Sequence, residues 1–412
     1  METWSTHLLF QKTAIQIDSD TATRVQFYAN QLRSQRLPVI FSLAHLGKIT
    51  GVEYDFLHRS VNRFYDSKNY QIFSIKKRSG GRRMIHAVNK KLFTVQKFIN
   101  NEILQKISPH PASFAFHSTG GIKQCAAMHC GCRWLLKFDL KDFFYTISEP
   151  SVFKIFLEMG YRRMLAFELT RLCTTTYLPK FMSSYIKKND SYNEAYFSHI
   201  IYDLIQKIKE NPQCVSKENC DKQKEYPYVR RQYIGVLPQG APTSPMLSNL
   251  AARKLDESLY EFAQKNGFVY TRYADDITFS ATILPSSKSI GKLRNEIILL
   301  IRKNGFYENI DKFHIAGPGA RKTVLGLLVD GEVPKLTKCF RQRIDRLMYS
   351  IKKYGIEAVV SYDKFDSVYG FLNHLSGLMA FVHDVDENLW RSLYPQFTAI
   401  RSSLDDVLEG EN

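Results

Sequence analysis

The sequence predicts an α+β fold, and three features carry that expectation. "YQIFSIKKRSGGRRMIHAV" (70–88) alternates apolar residues on both sides of a basic Gly-Gly turn, the pattern of a β-hairpin with a flexible tip. Two further strands, "FVYTRYA" and "ITFSAT", face each other across the acidic turn Asp275-Asp276, and "WLLKFDL" is a buried-strand run that also ends in an acid, Asp139. Helical periodicity fills both ends of the chain rather than alternating strand by strand.

In order, residues 1–65 read as a helical, mixed-polar N-terminal extension, in which "SLAHLGKITGVEYDFLHRSVNRF" gives helix, Gly-marked turn and helix. The hairpin follows, and then "NKKLFTVQKFINNEILQKI" runs at helical period with Leu92, Val95, Phe98 and Ile99 on one side. A long polar stretch from about 175 to 232, rich in Lys, Asn, Tyr and Ser, breaks the rhythm and reads as an inserted helix-loop element. "MLSNLAARKLDESLYEFA" reads as one helix with Ser244 as its N-cap. After 335 the chain is helical again, first "CFRQRIDRLMYSIKKYG", basic and amphipathic, then the largely apolar "FLNHLSGLMAFVHDVDENLWRSLYPQFTAI". No internal repeat and no low-complexity tract interrupts this order.

Composition narrows the function. The chain has 412 residues, 44% of them hydrophobic and 13% aromatic, which suits a globular protein of two or three domains. Lys and Arg number 57 against 40 Asp and Glu, a formal charge of +17. That excess attracts a polyphosphate or an anionic membrane surface, and an acidic small molecule does not require it. No apolar run reaches the roughly 18 to 20 residues that span a bilayer, and "METWSTHLLFQKTAIQIDSD" lacks the features of a signal peptide, so the expected location is the cytoplasm, without membrane partners. Seven cysteines, an odd number, suit reduced thiols. The cluster "CAAMHCGC", with Cys125, His129, Cys130 and Cys132, matches no common zinc spacing and reads better as small buried hydrophobes.

Adjacent acids repel, and an exposed Asp-Asp is ordinarily a solvated turn or helix cap. The other reason to place two carboxylates at a turn is a divalent cation, and a third acid is then needed. Asp139, at the end of an apolar strand, supplies it if a neighbouring strand in the same sheet brings it beside Asp275. Hard oxygen ligands favour magnesium over zinc, and three carboxylates around two Mg2+ ions suit in-line phosphoryl transfer.

With these residues in view, the sequence resembles a known family. "FDLKDFF", "GVLPQGAPTSPMLSNL", "YADD", "NIDK" and "VLGLLVDG" occur in the order and approximate spacing of the palm motifs of reverse transcriptases, and are most similar to those of the bacterial retron and group II intron lineage. The resemblance runs from about residue 70 to 385. "CAAMH" looks like the retron NAxxH element with Cys125 in place of Asn, and "RKTVLGLLV" sits where retron enzymes carry VTG, with Leu325 in place of Thr. The resemblance implies a right-hand polymerase: fingers over 66–138, a palm with an antiparallel sheet over 139–334 that includes the insertion at 175–232, and a short helical thumb over 335–412.

It also implies roles. Asp139 and Asp275 resemble the bridging metal ligands, with Asp276 a looser ligand or an orienter of the primer end. Phe144, five residues after Asp139, looks like the steric gate that excludes a ribose 2′-hydroxyl, although "DFFY" offers three aromatics for one core face. Lys76 and Arg83 flank the fingertip and resemble the groups that close over the triphosphate, with Lys77, Arg78 and Arg82 as neighbours of the same chemistry. Gln239 and Gly240 resemble the segment that lies against the nucleotide and the template base. Lys312 matches the lysine that protonates departing pyrophosphate. Lys338, Arg341, Arg343, Arg346, Lys352 and Lys353 fit a thumb helix gripping a nucleic-acid backbone.

The expected activity is RNA-directed DNA polymerisation, with a non-coding RNA as template and primer, dNTPs as substrates and cDNA as product. The sequence lacks the extra modules expected of an intron maturase after the thumb, and "QGAPTSP" departs from the SQ of diversity-generating enzymes. The imperfect retron elements tilt the expectation toward a defence-associated reverse transcriptase acting against phage, with a retron enzyme making msDNA as the alternative. A template-independent or protein-primed polymerase stays open, since 23 tyrosines offer hydroxyls, as does an RNA-binding scaffold without turnover. A protein effector or a second copy of the chain is a further expected partner, with the insertion as one surface for it.

Overall fold

The computed structural model describes residues 5–64, 66–76, 80–185, 187–188, 233–284 and 289–409. Most of the expected insertion, 189–232, and the fingertip residues Lys77 and Arg78 lie outside the described residues. The strands in chain order are β1 (Tyr70–Lys76), β2 (Arg82–Val88), β3 (Trp134–Asp139), β4 (Lys187–Lys188), β5 (Tyr233–Ile234), β6 (Val269–Tyr273), β7 (Asp276–Ala281), β8 (His314–Ala316), β9 (Thr323–Val324), β10 (Leu327–Leu328) and β11 (Lys335–Leu336). With the helices around them the fold class is α+β, as expected. Two compact units form, one from Met1–Pro111, Leu140–Glu257 and Ile301–Tyr307, the other from Ala112–Asp139, Ser258–Leu300 and Glu308–Asn412. No helix among the described residues is long and apolar enough to cross a membrane.

The first unit begins with helices whose starts carry capping side chains. Asp18 Oδ1 accepts from Thr21 N at 2.6 Å to open Ser19–Ser34, and Ser42 Oγ accepts from His45 N at 3.2 Å to open Leu43–Thr50. β1 and β2 pair antiparallel from Tyr70↔Val88 to Lys76↔Arg82. Asn89 Oδ1 then caps the helix Lys90–Phe98, which buries Leu92 and Val95 as its period predicts. It does not end there: the chain widens into a π turn over Ile99–Ile103 and tightens into a 3-10 turn at Leu104–Lys106, so that Ile99, Ile103 and Leu104 are all buried.

A buried ionic network ties the N-terminal helices of this unit to its later ones. Arg63 donates to Glu149 Oε1 and to the Thr174 carbonyl, to Thr174 Oγ1 at 2.7 Å and to the Arg171 carbonyl at 3.0 Å, and it lies 3.3 Å from Asp66 Oδ1. Glu149 Oε2 lies 3.4 Å from Arg171 Nε, and Asp66 Oδ2 accepts from the backbone and hydroxyl of Thr176 at 2.8 and 2.6 Å. Thr175 in turn forms an antiparallel bridge with Val236, just before the Pro238–Gly240 loop.

The segment read as one helix after that loop is two, Ser244–Ala251 and Arg253–Lys265. Ser244 is not the N-cap. Thr243 holds that place without a side-chain bond, and Ser244 Oγ donates back to the Pro238 carbonyl at 2.6 Å, fastening the loop onto the helix.

The second unit holds a four-stranded antiparallel sheet in the order β6-β7-β3-β8. Its apolar positions are buried: Leu135, Leu136, Ile277 and Phe279 are fully enclosed, and Phe279 is edged by the rings of Phe138, Phe262 and Phe268. A small sheet β11-β10-β9 follows, turning between β9 and β10 at Leu325 (φ +50) and Gly326 (φ +85). Positive φ at both loop residues is a type I′ turn, so the departure from VTG puts a leucine where left-handed backbone is needed.

The C-terminal helices pack on this small sheet through Val324, Leu327, Ile344, Leu347, Phe371 and Leu375. The basic segment is the helix Lys338–Tyr354, capped by Thr337. The apolar stretch after it divides at Asp386 into Val368–Val385 and Glu387–Glu409, since Asp386 Oδ1 accepts from Leu389 N at 3.0 Å and starts a new helix.

Candidate active site

In the second unit, the apolar strand β3 runs out at Asp139, the last residue of the run, which is 6% exposed. The β3–β7 register sets Asp139 opposite Asp276. β6 and β7 pair through Tyr273↔Asp276, leaving Ala274 and Asp275 as a two-residue hairpin loop. The three acids named from the sequence therefore meet at one end of the sheet.

Two further groups converge on Asp139. Lys312 Nζ lies 2.7 Å from its Oδ2, and Asn309 donates through its side chain to Oδ1 at 3.2 Å and through its backbone to the Asp139 carbonyl at 2.7 Å. Asn309 was missed as a site residue, although it opens the "NIDK" motif; only the fold reveals that its amide brackets the carboxylate from the other side.

The electrostatics are those of crowded negative charge. Burial, then the charge of Asp275, push the Asp276 carboxyl up to about 6, with Asp139 adding to the shift and Lys137 and Lys312 opposing it. Burial lowers the Lys312 ammonium, but its hydrogen bond and charge pairing with Asp139, followed by the charges of Asp275 and Asp276, outweigh that and raise it. Among the described residues, no group of three or more His, Cys, Asp or Glu side chains is arranged to hold a metal ion as it stands. The donor set nevertheless fits a hard divalent cation: its members are all carboxylates, one of their oxygens already carries an ammonium, and their mutual repulsion is what a cation relieves.

In the first unit, the aromatic run sorts itself by burial. Phe143 is buried with its ring 5.6 Å from that of Phe306, and Tyr145 is buried with its hydroxyl donating to the Met84 carbonyl at 3.3 Å; Phe144 between them is half-buried. Asp142, at φ +49, bends the chain ahead of them and accepts from the Tyr185 hydroxyl at 2.6 Å. The Gln239 carbonyl accepts from His86 N at 2.8 Å. Gly240 has φ +113, and a Cβ there would stand 3.0 Å from the His86 carbonyl oxygen, so a larger residue fits neither the conformation nor the space.

Lys76 and Arg83 are both exposed, but they do not share a face of the ribbon. Lys76 pairs with Arg82 and Arg83 pairs with Ile75, so period-two alternation groups Lys76 with Arg82.

The cations of the basic helix Lys338–Tyr354 also divide. Arg341 pairs with Asp386, Arg343 Nη2 lies 2.8 Å from His374 Nε2, and Arg346 makes a bidentate contact with Asp363, its shortest bond 2.9 Å. These three fasten the basic helix to its neighbours. Lys338, Lys352 and Lys353 stay exposed, with Lys353 Nζ near the rings of Tyr349 and Tyr354. The cysteine-histidine cluster is structural: His129 is buried, with Nδ1 2.7 Å from Ser280 Oγ and Nε2 2.7 Å from Thr271 Oγ1, and Cys125 Sγ donates to Thr271 Oγ1 at 3.3 Å.

The chain is similar in sequence to known proteins. A family model described as reverse transcriptase (RNA-dependent DNA polymerase) matches residues 75–327. The retron Ec86 reverse transcriptase of Escherichia coli is 27% identical over 365 residues, covering 88% of this chain and 90% of its own length. The retron Mx65 reverse transcriptase of Myxococcus xanthus is 28% identical over 354 residues, covering 85% of this chain and 70% of its own. Among solved structures, a telomerase from Candida albicans in complex with a TWJ fragment of telomeric RNA aligns with TM-score 0.41 and 13% identity, over 84% of this chain and 59% of that one.

Proposed function

The chain belongs to the reverse transcriptase family and is an RNA-directed DNA polymerase of the right-hand fold, and from that premise we propose that it copies a cognate non-coding RNA into DNA in the cytoplasm, in defence against phage. The observation that carries the chemistry is the β3–β7 register, which sets Asp139 opposite Asp276 beside the Asp275 turn with Lys312 on Asp139.

Asp139, Asp275 and Asp276 are the residues that would hold magnesium, and two bound ions would supply Lewis acidity to the attacking hydroxyl and the leaving group. The chain's own groups do the rest. Exposed Lys76 and Arg83, with Arg82 beside Lys76, bind triphosphate oxygens. Gln239 and Gly240, fixed through His86 and Ser244, lie against the incoming nucleotide. The half-buried Phe144 ring excludes a 2′-hydroxyl. Lys312 passes a proton to the departing pyrophosphate. Lys338, Lys352 and Lys353 contact the nucleic-acid backbone, with Arg341, Arg343 and Arg346 holding their helix in place.

Extension of a DNA primer on an RNA template tests the chemistry. Asp275→Ala with Asp276→Ala is expected to abolish dNTP incorporation and leave RNA binding intact; incorporation at the wild-type rate removes the mechanism. A second reading, in which the product is retron msDNA, is favoured by the retron reverse transcriptases that the chain matches over most of its length. Sequencing the nucleic acid that copurifies with the protein decides between the two through the template and the primer linkage.

A further inference from the structure

Among the described residues Arg272 is the largest fully buried side chain, and it lies two residues before the Ala274–Asp275 loop. Its guanidinium is turned toward that loop: Nη1 donates to the Ala274 carbonyl at 3.1 Å, and Nη2 donates to Ser113 Oγ at 3.2 Å. Its backbone is fixed as well. Arg272 N donates to the Ala112 carbonyl at 2.8 Å and its carbonyl accepts from Phe114 N at 2.9 Å, so the 112–114 segment on one side and β7, paired through Arg272↔Ile277, on the other hold the base of the side chain.

The carbonyl that Arg272 grips belongs to a strained residue. Ala274 has φ +57, while Asp275 has a negative φ. Positive φ at the first loop residue alone is the type II′ pattern, whose first position is ordinarily glycine. A residue with a Cβ costs roughly 1–2 kcal/mol in left-handed backbone, so Ala274 favours this loop less than a glycine would and the loop depends on contacts outside it. Rotation of the Ala274–Asp275 peptide, about ψ of Ala274 and φ of Asp275, would swing Asp275, because this peptide leads directly into its Cα, and its carbonyl is the one Arg272 holds. Burying a guanidinium is itself unfavourable unless its hydrogen bonds are strong and well placed. The arrangement therefore sets a buried cation against the one peptide whose orientation decides where Asp275 points.

We infer that Arg272 is a positioning residue for polymerisation: its hydrogen bond to the Ala274 carbonyl locks the strained hairpin loop in the rotamer that presents Asp275 beside Asp139 and Asp276. The inference rests on the reverse transcriptase reading and adds to it a residue that touches neither substrate nor reacting atoms.

The test uses the full chain and two readouts: Mn2+ affinity by electron paramagnetic resonance without nucleic acid, and single-turnover dNTP incorporation on an RNA template. Arg272→Met keeps the volume and removes the donors. It is expected to weaken Mn2+ about 10-fold and slow incorporation about 100-fold, with KM for dNTP nearly unchanged, as for loss of geometry rather than of substrate binding. Adding Ala274→Gly removes the strain that Arg272 opposes, and both quantities should recover several-fold; a general loss of folding predicts no such rescue. Wild-type Mn2+ affinity and rate in folded Arg272→Met would overturn the inference, as would a double variant no better than the single. Should Arg272→Met not fold, Ser113→Ala removes only the second anchor and should lower both readouts a few-fold, again rescued by Ala274→Gly; unchanged values overturn the inference. If the wild-type chain binds Mn2+ in an Arg272-dependent way yet never extends a primer, the reading as a polymerase fails while the positioning role stands.

Discussion

Lys312 Nζ and Asp139 Oδ2 lie 2.7 Å apart, although the two residues are 173 positions apart along the chain. The lysine stays about half exposed while the aspartate is buried, so the pair has one fixed member and one that can swing. A proton donor for pyrophosphate needs that combination: an ammonium kept charged by nearby acids, on a stem that reaches outward. Lys312→Met is expected to lower kcat for dNTP incorporation about 100-fold, the usual contribution of a general acid, with KM for dNTP little changed. Single-turnover rates on an RNA template check it, and a KM effect without a kcat effect would reassign Lys312 to binding.

Much of this site was legible before the fold because its parts are local. An apolar run ending in an acid and two strands around Asp-Asp are patterns a few residues long, and they became β3, β6 and β7 with the acids at the sheet end. What escaped depends on neighbours distant in sequence. Asn309 is an ordinary amide until β8 brings its loop against Asp139. Arg341, Arg343 and Arg346 read as phosphate contacts because the sequence does not show Asp386, His374 and Asp363 across the helix interface. Ser244 reads as a cap from its place before a helix, and only the returning Pro238 carbonyl gives its hydroxyl another partner.

His129 gives the second unit a pH dependence. Burial pushes its imidazole down from 6.5 to about 3, and its two nitrogens are bonded to Ser280 and Thr271 hydroxyls, which suit a neutral ring with one donor and one acceptor. The unfolded chain takes up the proton near 6.5 and the folded one does not until about 3. The contribution is therefore complete above pH 6.5 and declines as pH falls toward 3, by on the order of 1 kcal/mol per pH unit. Urea midpoints between pH 7 and pH 4 are expected to fall more steeply for the wild type than for His129→Gln.

The Arg63 network makes the N-terminal helices part of the first unit's core rather than a detachable cap. Arg63 and Glu149 side chains are each under 10% exposed, and the two share Thr174 as a partner. Removing one member of a buried pair strands the other, at a cost of about 3–5 kcal/mol. Arg63→Met should lower the unfolding free energy by that amount, whereas Arg59→Met, at an exposed pair with Asp55, should change it by less than about 1 kcal/mol. Equal midpoints for the two variants in urea would refute the distinction.

Phe143, Phe144 and Tyr145 differ in burial within three residues. Phe143 packs against Phe306 with the rings tilted and Tyr145 bonds the Met84 carbonyl, so both are committed to the core, and Phe144 keeps part of its ring in the open. Under the proposed function, this partly uncovered ring is the one that excludes a 2′-hydroxyl. Phe144→Val should therefore raise incorporation of ribonucleotides relative to deoxynucleotides on the order of 100-fold, with little change in thermal stability. Phe143→Ala should do the reverse, losing about 3–5 kcal/mol of stability from the cavity it leaves while keeping sugar discrimination in whatever fraction stays folded. Competition between a dNTP and its rNTP on one RNA template measures the first effect and urea unfolding the second; ribonucleotide tolerance that follows Phe143 instead would move the gate to the neighbouring ring.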